Sequence, residues 1–251
     1  KKKISYETVM IKTMIAVIKH LEIKNFLDLG SFMGYYACFA SRYFNKDLKV
    51  YAIESNEQYS NYIKKSLKEN KLENVEVVNK ILSDKEEDLF VYKEGVYKSK
   101  KEVNNSVSTK SITLDKVCLQ NKIIPELIKI DVHGAEGKVL LGSKYILKNL
   151  VKVILLELHT NKYINQFSDG LSRKKIIEHL ISLNFKCYLI ASFRNFEKSI
   201  ELRKKFNLNK KFEYIEIDML NYNQLFFDRD QSDQFIFACK SNIDIKSFGC
   251  F

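Results

Sequence analysis

The chain is poor in the residues that make tight turns. Its 251 residues hold one proline and eight glycines, too few for a β-sandwich with its many short strands and frequent turns. Tryptophan is absent, and only five of the 42 basic side chains are arginine. The formal net charge of +11 draws phosphates to the surface. Bidentate recognition of phosphate and base is the work of arginine, however, and the lysines are spread along the chain instead of blocked. A nucleic-acid partner is thereby disfavoured, and an acidic substrate or a sugar nucleotide stays open. Paired cysteines are missing too. Cys38, Cys118, Cys187, Cys239 and Cys250 are odd in number and form no C-x-x-C. They read as free thiols in a reducing, cytoplasmic setting and not as a disulfide frame or zinc site. No apolar run approaches the ~20 residues of a membrane span. The apolar opening YETVMIKTMIAVIKHLEI is interrupted by Lys12 and Lys19 and reads as an amphipathic helix on the core, not a signal or anchor. The chain starts on KKK without methionine, which suggests that residues upstream were removed.

What is present is an ordinary globular composition: 45% apolar, 12% aromatic and 29% charged. There is no repeat and no linker-like stretch. Strand-like and helix-like segments alternate, the pattern of a parallel sheet covered by helices. The reading is one domain over 1–251, with a helical lead-in (1–25), a core (26–160) and a C-terminal part (161–251). Helices are expected over 5–23, 35–44, 56–70, 135–148 and 171–183. The helix at 35–44 is expected to pack through Tyr36, Phe39, Ala40, Tyr43 and Phe44. Strands are expected at FLDLG, 49–54, 75–82, 127–132, 151–159, 187–191 and 234–240. The polar stretch 83–110 is read as irregular with a hairpin around LFVYKEGVYK, and 160–170 as a loop. Segment 193–233 is a charged insertion, with a helix at 196–206 and a strand at FEYIEI. It is a candidate lid or recognition element, or merely a solvated connection.

In an open parallel sheet, ligands sit beyond the carboxyl ends of the strands. Four such ends carry polar residues in chain order: Asp28 with Gly30, Glu54, Ser83 with Asp84, and Asp131. Glu54 closes the second strand, 26 residues after Asp28, where a carboxylate can accept both hydroxyls of a ribose. A dinucleotide would use the same carboxylate, so the turn decides. A pyrophosphate needs backbone exposed by G-x-G-x-x-G. This chain has GSFMG, and Phe32 with Met33 obstructs a diphosphate. A compact ligand with an ammonium and a carboxylate is not obstructed. Asp28 can meet the ammonium, and amides at the start of the Tyr35 helix can meet the carboxylate. The sulfonium of S-adenosylmethionine asks for a carboxylate or aromatic face nearby, which Asp131, Tyr35 and Tyr36 supply. NAD is disfavoured. Asp28 and Asp131 carry the most weight, because each interrupts an apolar strand where an unpaired charge is costly.

The ordered segments FLDLGSFMGYYACFASRYF, VYAIESNEQYSNYIKKSLKEN, NKILSD, SITLDKV, IKIDVHGAEGKVLLGSKYIL and VILLELH resemble the FkbM family of S-adenosylmethionine-dependent methyltransferases. The match covers about residues 26–160, and IKIDVHGAEGKVLLG is its most specific element. The resemblance implies a Rossmann-like class I methyltransferase α/β fold. Its sheet would have seven mostly parallel strands, the last antiparallel, with helices on both faces. It also implies methyl transfer from S-adenosylmethionine to a hydroxyl, often of a sugar or natural product. Asp28, Gly30, Ser31, Gly34 and Tyr35 would belong to the methionine-binding turn and Glu54 to the ribose. Ser83 and Asp84 would lie near the adenine, and Asp131 beside the reactive centre. Phe32 stands where the family often has asparagine, so one polar cofactor contact is missing. His133 stands where glutamate is usual, which bears on the acceptor more than on the fold. Residues 161–251 match no motif, and acceptor specificity is expected there.

Methyl transfer is an in-line displacement in which alignment supplies much of the acceleration. An alcohol acceptor also gains from a general base. His133 and His159 are the candidates, with Asp131 and Glu157 nearby, and His133 is preferred because it adjoins Asp131. Glu136 reads as a helix cap, and His20 and His179 as helix-pattern residues. No metal-ligand spacing is present, although Asp131, Glu157 and His159 leave room for a cation. Three functions stay open: an O-methyltransferase acting on a small-molecule or glycan acceptor, an RNA or DNA methyltransferase, and a methyltransferase-fold module without activity.

Overall fold

The computed structural model describes residues 8–92, 98–99, 106–167, 170–190, 204, 214–218 and 233–245. The first helix, α1 (Thr8–His20), buries Met10, Met14, Val17 and Ile18 along one stripe. It leads into the alternation that the sequence predicts: β1 (Asn25–Leu29), α2 (Tyr35–Phe44), β2 (Lys49–Glu54), α3 (Glu57–Glu69) and β3 (Val75–Asn79). Asn56 caps α3 by accepting from the Tyr59 amide. The face of α2 is turned by about one residue from expectation. Tyr36, Ala37, Ala40 and Ser41 are buried while Tyr43 is exposed, because small side chains let the helix lie close on β1 and β2.

The segment expected as one strand over 75–82 is two. Beyond Lys80 the chain leaves the main sheet, and β4 (Ile81–Leu82) joins a second sheet with β5 (Asp88–Tyr92), β6 (Lys98–Ser99) and β7 (Ser106–Ile112), in the order β4-β7-β5-β6. The expected hairpin is present as the antiparallel β5–β6 pair, and its residues 93–97 lie outside the described residues. Next come α4 (Leu114–Gln120), β8 (Leu127–Ile130), α5 (Glu136–Leu141), α6 (Lys144–Asn149) and β9 (Val153–Leu158). The helix expected over 135–148 is broken at Gly142 and Ser143. A Cβ on Gly142 would stand 2.1 Å from the Ser83 carbonyl oxygen, so the chain leaving β4 crosses there. Asp115 of the SITLDKV segment then starts the second piece, accepting from the Tyr145 and Ile146 amides at 2.9 and 3.0 Å.

The C-terminal part holds α7 (Asn161–Phe167), where a loop was expected, then α8 (Arg173–Ser182), β10 (Phe185–Ile190), β11 (Tyr214–Ile217) and β12 (Gln234–Lys240). Apart from Lys204, the helix expected over 196–206 lies outside the described residues, as does most of the 193–233 insertion. The main sheet runs β11-β10-β12-β9-β8-β1-β2-β3. It has eight strands among the described residues, not seven. The additional one is the FEYIEI strand, which adds to the edge antiparallel to β10 and buries Ile217 opposite Cys187. β12 is also reversed, and the remaining pairs from β3 to β9 are parallel.

Each face of the sheet carries its own apolar core. One joins Leu27, Ile128 and Ile154 to α4, α5 and α8; the other joins Phe26, Leu127 and Leu155 to α1, α2 and α3. β9 is buried along its whole length, as its unbroken VILLEL predicts for a strand covered on both faces. Leu155→Ala is therefore expected to cost about 2–5 kcal/mol, read as a shift in the urea midpoint at constant slope.

Candidate active site

The strand order reverses between β1 and β8: β2 and β3 lie to one side of β1, and β8 and β9 to the other. The carboxyl ends of these two strands therefore part at the switch point, where an open sheet has its crevice. The turn after β1 is pressed into that point. Gly30 has φ +77°, and a Cβ on it would fall 1.8 Å from the carbonyl oxygen of Asp131. The Gly30 and Ser31 amides both donate to the Ile53 carbonyl at 2.9 and 3.2 Å. The Ser31 hydroxyl donates to the Asp28 carbonyl at 2.7 Å, so Ser31 holds the turn through its own donors. Phe32 takes φ +50° and is exposed. Its amide donates to Glu54 Oε2 at 2.8 Å, and Oε1 of the same carboxylate accepts from Asn56 at 2.8 Å. Gly34, at φ +77°, opens α2, and no side chain caps that helix. Tyr35, the first residue of α2, is exposed.

Strand parity gathers a polar stripe on the face that packs against α2. Asp28 is paired in register with Lys129, and Asp131, two residues on, shares that face. Glu157 and His159 share the parity of Val153 and Leu155 on the neighbouring strand, which lie in the same core. Asp28 is fully buried and neither carboxylate oxygen has a hydrogen-bond partner. Burial raises its pKa, against the lowering pull of Lys129, whose Nζ lies 3.7 Å from Oδ1. Lys129 Nζ also donates to Asp131 Oδ2 at 3.2 Å and stands 4.6 Å from the centre of the Tyr36 ring. For Asp131, burial works upward, but Lys129, His133 and His159 together hold the carboxyl below its ordinary value. Glu54 is raised, chiefly by burial and in part by Asp28.

The third strand end forms a tight cluster. Asp131 Oδ1 lies 3.8 Å from His133 Nδ1 and 3.9 Å from His159 Nε2, and the two rings are 5.0 Å apart between centroids. His133, at φ +51°, is mostly exposed. His159 is buried, and its Nδ1 is 2.8 Å from Oε1 of the fully buried Glu136. Glu136 Oε1 also accepts from the Gly134 amide at 2.9 Å. It is therefore not the expected helix cap, since the N-cap of α5 is Ala135 with no side-chain cap, but ties the turn before the helix and engages His159. Burial opposes a charge on His159, but Glu136, with Asp131 and Asp233, pushes its pKa up to about 9. Ligand-type atoms of Asp131, His133 and His159 all lie within 4.8 Å of one another, and so do those of Glu157, His159 and Asp233.

The structure thus joins Asp28, Gly30, Ser31, Glu54 and Asp131 around one turn, puts Gly34 and Tyr35 at the head of α2, and sets His133 and His159 on either side of Asp131. Ser83 and Asp84 lie against α5: the Ser83 hydroxyl donates to Asp84 at 3.0 Å, Asp84 is 3.8 Å from Lys138, and Gly142 abuts Ser83. Lys129 and the Glu136–His159 contact were not anticipated. A lysine at the centre of LIKIDV, on the parity of Asp131 and opposite that of Ile128 and Ile130, was the available signal for the first. The second joins residues 23 apart and has no local signature.

Over residues 28–197 the chain matches the Methyltransferase FkbM domain. No curated protein matches it. Among solved structures, it is similar to a methyltransferase FkbM from Methylobacillus flagellatus KT, with 10% identity and a TM-score of 0.52. That alignment covers 86% of this chain but only 44% of the other, so the chain spans less than half of that protein. It is also similar to a precorrin-6y C5,15-methyltransferase from Geobacter metallireducens GS-15, at 13% identity, 94% and 93% coverage and a TM-score of 0.46. A third likeness is to an rRNA methylase from Streptococcus thermophilus, at 12% identity, 93% and 97% coverage and a TM-score of 0.48. At such identities the likeness is one of fold, and the first of the three supports the Rossmann-like class I methyltransferase fold with its mixed, mostly parallel sheet.

Proposed function

Because the chain belongs to the FkbM family of S-adenosylmethionine-dependent methyltransferases, we propose that it methylates a hydroxyl of a sugar, glycan or other small-molecule acceptor. The carrying observation is Asp28, a fully buried carboxylate at the switch point whose neighbouring cation, Lys129, stands 3.7 Å away, beyond hydrogen-bond reach, and whose burial outweighs the groups that favour its charge. Such a group costs stability unless a ligand meets it. Asp28 would hold the ammonium of S-adenosylmethionine, and the amides at the head of α2 its carboxylate. Glu54 accepts from Phe32, Asn56 and, at a long 3.4 Å, the Ser55 hydroxyl, three of a carboxylate's roughly four acceptor positions. One ribose hydroxyl would take the fourth and the other would displace the long Ser55 contact. Ser83 and Asp84 are assigned to the adenine end. When bound, the cofactor supplies a methyl group activated by its attachment to a positively charged sulfur.

This chain's own contribution is to orient, to exclude water and to take the proton. Asp131 stands at the reacting end. His159 is protonated near neutral pH and favours an acceptor oxygen that gains negative charge. His133, the exposed member of the cluster, is placed to take the hydroxyl proton. We place the enzyme in the cytoplasm, consistent with the free thiols of the four cysteines among the described residues; no helix among those residues is long and apolar enough to cross a membrane.

The test is transfer of label from methyl-labelled S-adenosylmethionine to a panel of polyhydroxylated acceptors and RNA. Ether-linked label on a small acceptor supports the proposal, and label on RNA alone refutes it. In the same system Glu54→Ala is expected to weaken S-adenosylhomocysteine about 10–100-fold, the worth of one or two charged hydrogen bonds. Unchanged affinity would remove Glu54 from the site. The net charge of +11 favours a second reading, RNA methylation, which predicts RNA binding that falls steeply between low and moderate salt.

A further inference from the structure

We propose that Asp131, His133 and His159 form a binding site for one divalent transition-metal cation. Two ligands on one such ion, each about 2.0–2.2 Å from it, stand about 3–4 Å apart. Asp131 Oδ1 lies 3.8 and 3.9 Å from the facing nitrogens of His133 and His159, both co-ligand separations, and the ligand atoms of all three residues lie within 4.8 Å of one another.

Two further observations point to an ion. Asp131 Oδ1, the atom common to both distances, is buried and has no hydrogen-bond partner. A buried carboxylate oxygen turned toward two imidazoles and bonded to neither is an acceptor without a donor, and a cation supplies what is missing. Glu136 then does for His159 what carboxylates do behind metal-bound histidines. It is fully buried and engages Nδ1 at 2.8 Å, which fixes the ring and turns Nε2 toward Asp131. Glu136 is itself held by the Gly134 amide, so the support is two layers deep.

Ligand chemistry selects the ion. Two imidazoles and one carboxylate suit zinc, cobalt, nickel or ferrous iron, whereas magnesium and calcium prefer oxygen ligands throughout. The existence of the site does not depend on methyl transfer. Its use rests on that reading: an ion there lies at the reacting end and would take an acceptor oxygen in an open position, with His133 then a ligand and the cation replacing the proton that His159 Nε2 carries in the metal-free protein.

The test uses the full chain, stripped with a chelator and titrated with Zn²⁺ alone by calorimetry and with Co²⁺ alone by visible absorption. One ion per chain is expected, with tetrahedral or five-coordinate cobalt bands and no displacement by excess Mg²⁺. His133→Gln and His159→Gln should each weaken binding at least about tenfold, as should Glu136→Gln, since loss of such a supporting carboxylate typically costs about 10–100-fold. Asp233→Asn should leave it unchanged. His133 is mostly exposed, so His133→Gln keeps the proposal testable if the buried variants do not fold. No zinc binding, full binding in His133→Gln, equal preference for Mg²⁺, or loss in Asp233→Asn (the Glu157 side of His159) would each overturn it. Titration of the same samples with S-adenosylhomocysteine separates the two claims: cofactor binding without zinc sinks only the metal site, and zinc binding without the cofactor sinks only the methyltransferase reading.

Discussion

Gly30→Ala is expected to abolish S-adenosylhomocysteine binding and to destabilise the protein by about 3–5 kcal/mol. Two costs combine at this position. At φ +77° any residue with a Cβ pays about 1–2 kcal/mol for a left-handed backbone. The added carbon would also fall 1.8 Å from the Asp131 carbonyl oxygen and 2.8 Å from its carbon. That neighbour is main chain at the end of β8 and cannot rotate away, so β1 and β8 must part at the switch point. Gly170 is the internal control. It has φ +74° and nothing within 4 Å of its would-be Cβ, so Gly170→Ala should show the backbone cost alone. Urea denaturation of both variants separates strain from collision, and equal destabilisation would mean that the close approach of Gly30 to Asp131 is not what holds the turn.

Asp28→Asn is expected to act in opposite directions on stability and on binding. In the free protein, burial outweighs Lys129 and raises the Asp28 pKa. A carboxyl whose folded pKa exceeds its unfolded value leaves stability intact below the unfolded pKa and removes it as pH rises through the folded one. A neutral amide in its place carries no such penalty. The variant should therefore match the wild type at strongly acid pH and exceed it at neutral pH, by a few degrees in Tm. Lys129 keeps Asp131 as a partner at 3.2 Å, so the substitution does not strand that cation. Affinity for S-adenosylhomocysteine should fall at least about tenfold, because a charge-assisted hydrogen bond to the ammonium is lost. A gain in stability with loss of binding is the expected signature of a group kept for a ligand at the expense of the fold. A variant that is less stable at neutral pH would show that Lys129 makes Asp28 a structural ion pair.

The parts of the site that were legible in the sequence are those set by local pattern. FLDLG reads as a buried strand ending in a turn because its apolar run stops at a glycine, and the structure puts Asp28 and Gly30 there. Glu54 is legible because it closes an equally apolar strand. Contacts between distant segments escaped. The break between α5 and α6 follows from the Ser83 backbone crossing Gly142, far away along the chain, and helix periodicity carries no trace of it. The eighth strand was visible as the alternation of FEYIEI, but its place at the edge depends on β10 offering Cys187 opposite Ile217. Histidine chemistry was the least legible of all. His133 and His159 look alike as residues just past strand ends, yet one is mostly exposed while the other is buried against Glu136 and raised to about 9. The rise at His159 comes chiefly from Glu136, a carboxylate on another element, with Asp131 and Asp233 adding to it.

The most direct measurement is calorimetric titration of the purified chain with S-adenosylhomocysteine and, separately, with NAD. Convergence of Asp28, Glu54 and Asp131 around the Gly30 turn predicts saturable one-to-one binding of the first and no heat from the second. Binding of NAD, or of neither ligand, would contradict it.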